Sequence, residues 1–168
     1  MPNVVLTIGP RACGKSEAIE KEISNFKNKL YIATLWRDPR YIKSIHQHQK
    51  RRDLNWNLYE VTGNLRKDYN NINSLLKDMH QPIACMIDGL TTWALNCSLA
   101  ERSINICAYN IVFFIEKLIA THPNCLWHLV DVSPESFDLI QNKSTFSACQ
   151  NIHFLLNNNI KFLKTIYW

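Results

Sequence analysis

The feature that most constrains this chain is an eight-residue loop that follows an apolar run near its start. Residues 9–16 read G-P-R-A-C-G-K-S and match the pattern G-x-x-x-x-G-K-[S/T] in full. Before them, residues 3–8 are β-branched and apolar, as in a buried parallel strand. After them, residues 17–28 carry apolar side chains at helical spacing. A glycine-containing turn between a strand and a helix presents backbone N–H groups and the positive end of the helix to an anion, so the sequence predicts a phosphate-binding loop.

The residue types in this loop, and one acidic residue beyond it, predict how a nucleotide and Mg²⁺ are held. In such loops the lysine reaches the outer phosphates and the hydroxyl after it binds Mg²⁺. Asp88 ends the apolar run P-I-A-C-M-I-D and is the candidate for a second magnesium group, at the end of a neighbouring strand. The alternative for Asp88 is a helix N-cap or turn residue. The predicted metal residues are Ser16 and Asp88, and the predicted loop contacts to the nucleotide are Gly9, Pro10, Arg11, Ala12, Cys13, Gly14, Lys15 and Ser16, with Lys15 also catalytic.

Apolar runs of strand length alternate with segments of helical periodicity along the chain. This alternation predicts a single α/β domain over residues 1–168, with a doubly wound, mostly parallel sheet of the RecA-like, P-loop NTPase-like type. Strands are expected at residues 3–8, 30–34, 56–61, 82–88 and 125–132. Helices are expected at residues 39–50 and 91–120, and the Asn-rich end is expected to form a helix at 144–150 and strands at 152–156 and 160–167.

Charge and cysteine usage narrow the class of protein. The net charge of +5 is mild, and it suits an anionic small ligand better than nucleic acid. Six cysteines are present without a C-x-x-C pair, and no charged leader precedes an apolar signal core, so a cytoplasmic protein is expected. The most apolar stretch, residues 104–120, contains Glu116 and Lys117, and no membrane span is expected.

A second motif lies in the predicted helix at 39–50. The segment I-H-Q-H-Q-K-R-R at 45–52 places two histidines beside three cations. At helical spacing, Ile45, His48 and Arg52 share a face. A neutral imidazole there could attack an α-phosphate and form a nucleotidyl-histidine. Taken alone, however, these residues favour the alternative of a solvated basic helix with surface histidines.

Several ordered motifs together resemble one enzyme family. They are G-P-R-A-C-G-K-S at 9–16, Y-I-A-T at 31–34, I-H-Q-H-Q-K-R-R-D-L-N-W at 45–56, Glu60, and D-G-L-T-T-W-A-L-N at 88–96. The set is similar to the bifunctional adenosylcobinamide kinase / adenosylcobinamide-phosphate guanylyltransferase family of cobalamin biosynthesis. The phosphate loop occurs in many families, whereas the I-x-x-H-x-x-x-R-x-x-x-W run followed by D-x-L-T-x-W is specific.

The resemblance implies two reactions and a set of site residues. A nucleoside triphosphate, GTP or ATP, phosphorylates adenosylcobinamide; GMP from GTP then passes through a histidine to the new phosphate. The family motif implies His48 as the guanylylated residue, with His46 as the reserve candidate, and it implies a homo-oligomer, often a trimer. Further nucleotide-binding positions implied by the motif are Ala33, Thr34, Leu35, Gln49, Lys50, Arg51, Arg52, Glu60 and Asp88.

Two segments depart from the family pattern. The loop carries P-R-A-C in its middle, and V-D-V-S-P-E at 130–135 replaces the usual Ser/Thr-Asn-Glu-Val-Gly segment. Two other functions therefore stay open at this stage. One is a different P-loop kinase of a small molecule, and the other is a GTP-binding protein without catalysis.

Overall fold

The computed structural model describes residues 3–35, 42–52, 55–99, 103–137 and 142–168, without the side chains at positions 42, 44, 48 and 51. Within these ranges the strands are β1 (Asn3–Gly9), β2 (Asn28–Ala33), β3 (Trp56–Glu60), β4 (Ile83–Asp88), β5 (Leu126–Val132) and β6 (Lys164–Tyr167). The α-helices are α1 (Lys15–Glu22), α2 (Ile42–Arg51), α3 (Leu65–Asp78), α4 (Leu90–Ser98), α5 (Ile104–Thr121) and α6 (Lys143–Asn159). A short 3₁₀ turn covers Pro134–Ser136.

The strands form one parallel sheet in the order β3-β2-β4-β5-β1-β6. This confirms the predicted doubly wound, parallel α/β fold. Because parallel strands end on the same edge, the phosphate loop after β1 lies on the same edge as the ends of β2 and β4. Asp88 is not on a strand that neighbours β1, as the sequence predicted: β5 lies between β1 and β4, and Asp131 of β5 is paired with Ile8 of β1.

Apolar side chains on both faces of the sheet explain why its central strands are continuously hydrophobic. On the larger face, Leu6, Ile87 and Leu129 are fully buried in a core shared with α3, α4, α5 and α6. On the smaller face, Ile19 and Ile23 cover Tyr31, Met86 and Val130. Burying each large aliphatic side chain contributes about 1.5–3 kcal/mol, so these strands are anchored from both sides.

The long helix predicted at 91–120 is wrong, because the segment forms α4 and α5. A thirty-residue helix would run about 45 Å, whereas a seven-residue strand is about 23 Å long. Breaking the segment lets both parts stay on the core: Trp93 of α4 and Ile111 and Ile115 of α5 are buried together in one cluster.

The end of the chain also differs from the prediction. Residues 152–156 are not a strand; they belong to α6. Ile152, Leu156 and Ile160 follow at a spacing of four and are all buried, so tertiary packing overrides the weak helix propensity of the asparagines. The strand predicted at 160–167 is confined to β6.

Helix α5 is long and apolar enough to cross a membrane by length and composition. This is weak evidence, because a core helix passes the same test. Ile111, Ile115 and Leu118 are fully buried against the rest of the domain. Their burial is that of a core helix.

Candidate functional site

The phosphate loop is built on two glycines that are needed for different reasons. Gly14 precedes α1 with φ 88°, and a Cβ there would meet nothing within 4 Å, so glycine is required for its backbone angle. Gly9 is required for space, because a Cβ would lie 2.6 Å from the Cβ of Trp168. Ala12 also has positive φ, at 54°. The loop therefore holds a strained, concave backbone between β1 and α1.

The side chain of Lys15 turns back into this loop. It is buried, with 7% exposure, and its Nζ donates a hydrogen bond to the carbonyl oxygen of Pro10 at 2.9 Å. The ammonium is thus held at the loop, where the outer phosphates of a nucleotide would lie.

Asp88, at the end of β4, is oriented by its neighbour Tyr31 on β2. The hydroxyl of Tyr31 donates to Oδ2 of Asp88 at 2.6 Å. Burial, and then the charge of Asp88, raise the pKa of Tyr31 well above its usual value, so Tyr31 remains a proton donor to this carboxylate. The guanidinium of Arg52 lies 3.8 Å from the centre of the Tyr31 ring. These contacts connect the carboxylate to the basic end of α2.

The ends of β2 and β4 are joined by polar contacts. Oγ1 of Thr34 lies 2.6 Å from the carbonyl oxygen of Asp88 and 2.7 Å from that of Gly89. The side-chain amide of Asn96 on α4 donates to the carbonyl oxygen of Thr34. Gly89 has φ 95°, and a Cβ there would lie 2.7 Å from Oγ1 of Thr34. Glycine is therefore needed where the chain leaves β4 beside β2.

A cavity of about 840 Å³ opens at this edge of the sheet, between the loop, the strand ends and α2. Many of the residues predicted to bind nucleotide or metal line it together. They are Arg11, Ala12, Cys13, Gly14, Lys15, Ser16, Ala33, Thr34, Leu35, Gln49, Arg52, Glu60 and Asp88. Of the predicted residues, Gly9, Pro10 and Lys50 are described but do not line the cavity. Their nucleotide contacts stay predictions.

The predicted nucleophile lies on α2, whose cavity-lining residues include Ile45, Gln49 and Arg52. Position 48 is three residues after Ile45 and four before Arg52, which is the spacing of one helical face. The side chains of His48 and Arg51 lie outside the described residues. His46, the reserve candidate, is exposed and does not line the cavity.

Sequence reasoning missed three residues that line the cavity: Tyr31, Asn96 and Asp131. The first two lie within the Y-I-A-T and D-G-L-T-T-W-A-L-N motifs, so their presence was visible but their contacts were not. Asp131 is buried at the carboxyl end of β5. Only the strand order shows that it lies between the phosphate loop and Asp88.

Comparison with solved structures shows the same type of fold. The ATPase domain of a helicase is similar with a TM-score of 0.57 and 14% identity, over 96% of this chain and 68% of that one. A prototypical ATPase from the type III secretion system of pathogenic bacteria is similar with a TM-score of 0.52 and 11% identity, over 77% of this chain and 43% of that one. At such low identity these likenesses establish the RecA-like P-loop fold alone.

The sequence itself identifies the family. No curated protein matches the chain. The family model for cobinamide kinase / cobinamide phosphate guanyltransferase matches residues 5–153 of the 168, from β1 into α6. This range contains the phosphate loop, the basic helix and Asp88, the elements that meet at the cavity. The chain therefore belongs to the cobinamide kinase / cobinamide phosphate guanyltransferase family, enzymes of cobalamin biosynthesis.

Proposed function

We propose that this chain phosphorylates adenosylcobinamide with GTP or ATP and then transfers GMP from GTP to the product through a guanylyl-histidine at His48. The observation that carries the proposal is a cavity lined jointly by the phosphate loop, by Asp88 and by the face of α2 on which position 48 falls. One bound triphosphate can thus lie near groups suited to both reactions.

For the phosphoryl transfer, the protein has to position the triphosphate and neutralise its charge. Lys15 and the backbone of residues 9–16 are placed for the phosphates, and Arg52 adds a cation. Ser16 and Asp88 both line the cavity and offer a hydroxyl and a carboxylate oxygen, the donor types that Mg²⁺ takes in nucleotide sites. When bound, Mg²⁺ would supply charge neutralisation at the phosphate oxygens.

For the guanylyl transfer, a neutral imidazole nitrogen of His48 attacks the α-phosphorus of GTP. An N–P bond forms, the bond to the β-phosphate oxygen breaks, and pyrophosphate leaves. A phosphate oxygen of cobinamide phosphate then attacks the same phosphorus, which forms a new P–O bond and releases the histidine. Magnesium, a homo-oligomer (a trimer by resemblance) and a cytoplasmic location belong to this proposal as further predictions.

The test uses GTP labelled with ³²P at the α-phosphate. The wild-type chain is expected to take up an acid-labile label, and His48→Ala is expected to lose it. His46→Ala is the matched control, because His46 is an exposed residue on the same helix and outside the cavity lining. Retention of the label in His48→Ala would reject His48 as nucleophile.

A second measurement separates the alternative functions. Cobinamide phosphorylation without any label in the wild type would indicate a kinase alone. Magnesium-dependent GTP binding with neither reaction would indicate a binding protein without catalysis.

A further inference from the structure

Three different metal-ligating side chains meet on the larger face of the sheet, at the carboxyl end of β5. The ligand atoms of Asp131, Cys149 and His153 all lie within 4.8 Å of one another. Nε2 of His153 is 3.0 Å from Oδ2 of Asp131 and 3.8 Å from Sγ of Cys149. None of these residues belongs to the predicted nucleotide or magnesium site.

The contacts converge on one atom. A Cys-His-Asp relay would use one ring nitrogen of the histidine for the thiol and the other for the carboxylate. Here Nε2 of His153 faces both Cys149 and Asp131. A carboxylate, a thiol and an imidazole nitrogen directed at a common point form one face of a coordination polyhedron.

The distances agree with such a face. Tetrahedral Zn²⁺, with bonds of about 2.0–2.2 Å to nitrogen and oxygen and about 2.3 Å to sulfur, separates a nitrogen and an oxygen ligand by about 3.4 Å and a nitrogen and a sulfur ligand by about 3.6 Å. The observed 3.0 Å and 3.8 Å lie within about half an ångström of these values.

The surrounding protein orients the carboxylate. The Asp131 side chain is fully buried, and that of His153 is 12% exposed. Asp131 accepts hydrogen bonds from the backbone N–H of Thr91 at 3.0 Å and from its hydroxyl at 2.7 Å. Metal-binding carboxylates are held by hydrogen bonds of this kind. Cys149 and His153 are four residues apart on α6, the spacing that places two ligands on one helical face.

We propose that Asp131, Cys149 and His153 bind one divalent transition-metal ion of the zinc class, which fastens α6 to β5. Carboxylate, thiolate and imidazole are all zinc ligands, and three protein ligands leave one coordination position for water. Asp131 is paired with Ile8, and Val132 with Gly9 of the phosphate loop. The metal would therefore brace the strand next to that loop. The inference does not depend on the proposed nucleotide chemistry.

The test titrates the full-length, chelator-treated protein with Co²⁺, whose tetrahedral complexes have strong visible bands. One equivalent is expected, with a near-ultraviolet thiolate-to-cobalt band, and added Zn²⁺ should abolish both. Cys149→Ser should lose the thiolate band, and His153→Gln should weaken binding at least tenfold. Cys13→Ser and His80→Gln are controls for adventitious sites and should titrate like the wild type.

A second measurement requires no variant and therefore does not depend on whether the variants fold. X-ray absorption of the zinc-loaded wild type should show one sulfur neighbour at about 2.3 Å and lighter atoms at about 2.0–2.2 Å. Zinc should also raise the urea midpoint of the wild type. Absence of sulfur from the zinc shell, or cobalt bands that persist in both Cys149→Ser and His153→Gln, would overturn the proposal.

Discussion

At the scale of single residues, the hydroxyl of Tyr31 determines how the carboxylate of Asp88 is presented to the cavity. The 2.6 Å hydrogen bond is made to an ionisable group, and the ring of the same tyrosine lies against Arg52. Hydrogen bonds to charged groups contribute about 1.5–3 kcal/mol. Removing the hydroxyl while keeping the ring should therefore disturb Asp88 and leave the contact with Arg52 in place.

Tyr31→Phe is expected to lower the kcat of cobinamide phosphorylation by about tenfold or more, because about 1.4 kcal/mol of lost orientation corresponds to that factor. The measurement is steady-state kinetics as a function of Mg²⁺ concentration. Tyr59→Phe is the matched control: it removes a hydroxyl that donates to Asp68 at 2.8 Å, and neither Tyr59 nor Asp68 lines the cavity. An unchanged kcat in Tyr31→Phe would refute the positioning role.

At the scale of elements, the junction of β1 and β6 connects the phosphate loop to the last strand. The backbone N–H of Trp168 donates to the carbonyl oxygen of Ile8 at 2.9 Å, and Trp168 occupies the space that a Gly9 side chain would need. The first glycine of the motif is thus constrained by a segment at the far end of the described chain.

Gly9→Ala is expected to reduce the free energy of unfolding by about 1–3 kcal/mol, the cost of overpacking. In a Trp168→Gly background the same substitution should cost much less, because the clashing Cβ is gone. Urea unfolding of the four chains of this double-mutant cycle measures the coupling. Gly14→Ala is the contrast: its cost, about 1–2 kcal/mol from positive φ alone, should be the same in both backgrounds. Equal costs for Gly9→Ala in both backgrounds would contradict the packing argument.

At the scale of the whole molecule, the central strand β5 makes stability depend on pH. Both ring nitrogens of His128 are buried without a hydrogen-bond partner among the described residues. Burial lowers the pKa of His128, with a smaller opposing effect from Glu22. Because the unfolded chain titrates at about 6.5, this contribution to stability is complete above that pH and is lost as the pH falls towards the lower folded value.

The wild-type urea midpoint should therefore fall between pH 7.5 and pH 5.5, and His128→Leu should show a smaller fall. Some pH dependence should remain, because burial also lowers the pKa of His122. His80→Gln, at a position away from the core, should keep the wild-type slope. An identical slope in His128→Leu would exclude His128 as a source of the acid sensitivity.

Nucleotide binding should also act on the stability of the whole domain. At a Mg–GTP concentration of about 100 times its Kd, the free energy of unfolding should rise by about 2.7 kcal/mol. Lys15→Ala should abolish most of this increase, because it removes the ammonium held at the loop. A full increase in Lys15→Ala, measured by thermal unfolding with and without ligand, would contradict its predicted phosphate contact.

The fold type and much of the cavity lining could be predicted because they rest on local patterns. A strand, a G-x-x-x-x-G-K-S turn and a helix occur in immediate succession, and their chemistry is readable residue by residue. The break between α4 and α5 and the full length of α6 could not be predicted. Both depend on how much sheet surface each helix can cover, which no local window contains.

Sequence by itself determined the family, the phosphate loop and the alternating α/β plan, because these depend on the order and spacing of neighbouring residues. Tertiary structure decided which strand separates Asp88 from the loop, why Gly9 has no room for a side chain, and that Asp131, Cys149 and His153 meet. The physical reason is that each of these results depends on strand order and on contacts between distant segments. Such contacts form only when the whole sheet is assembled and both its faces are buried.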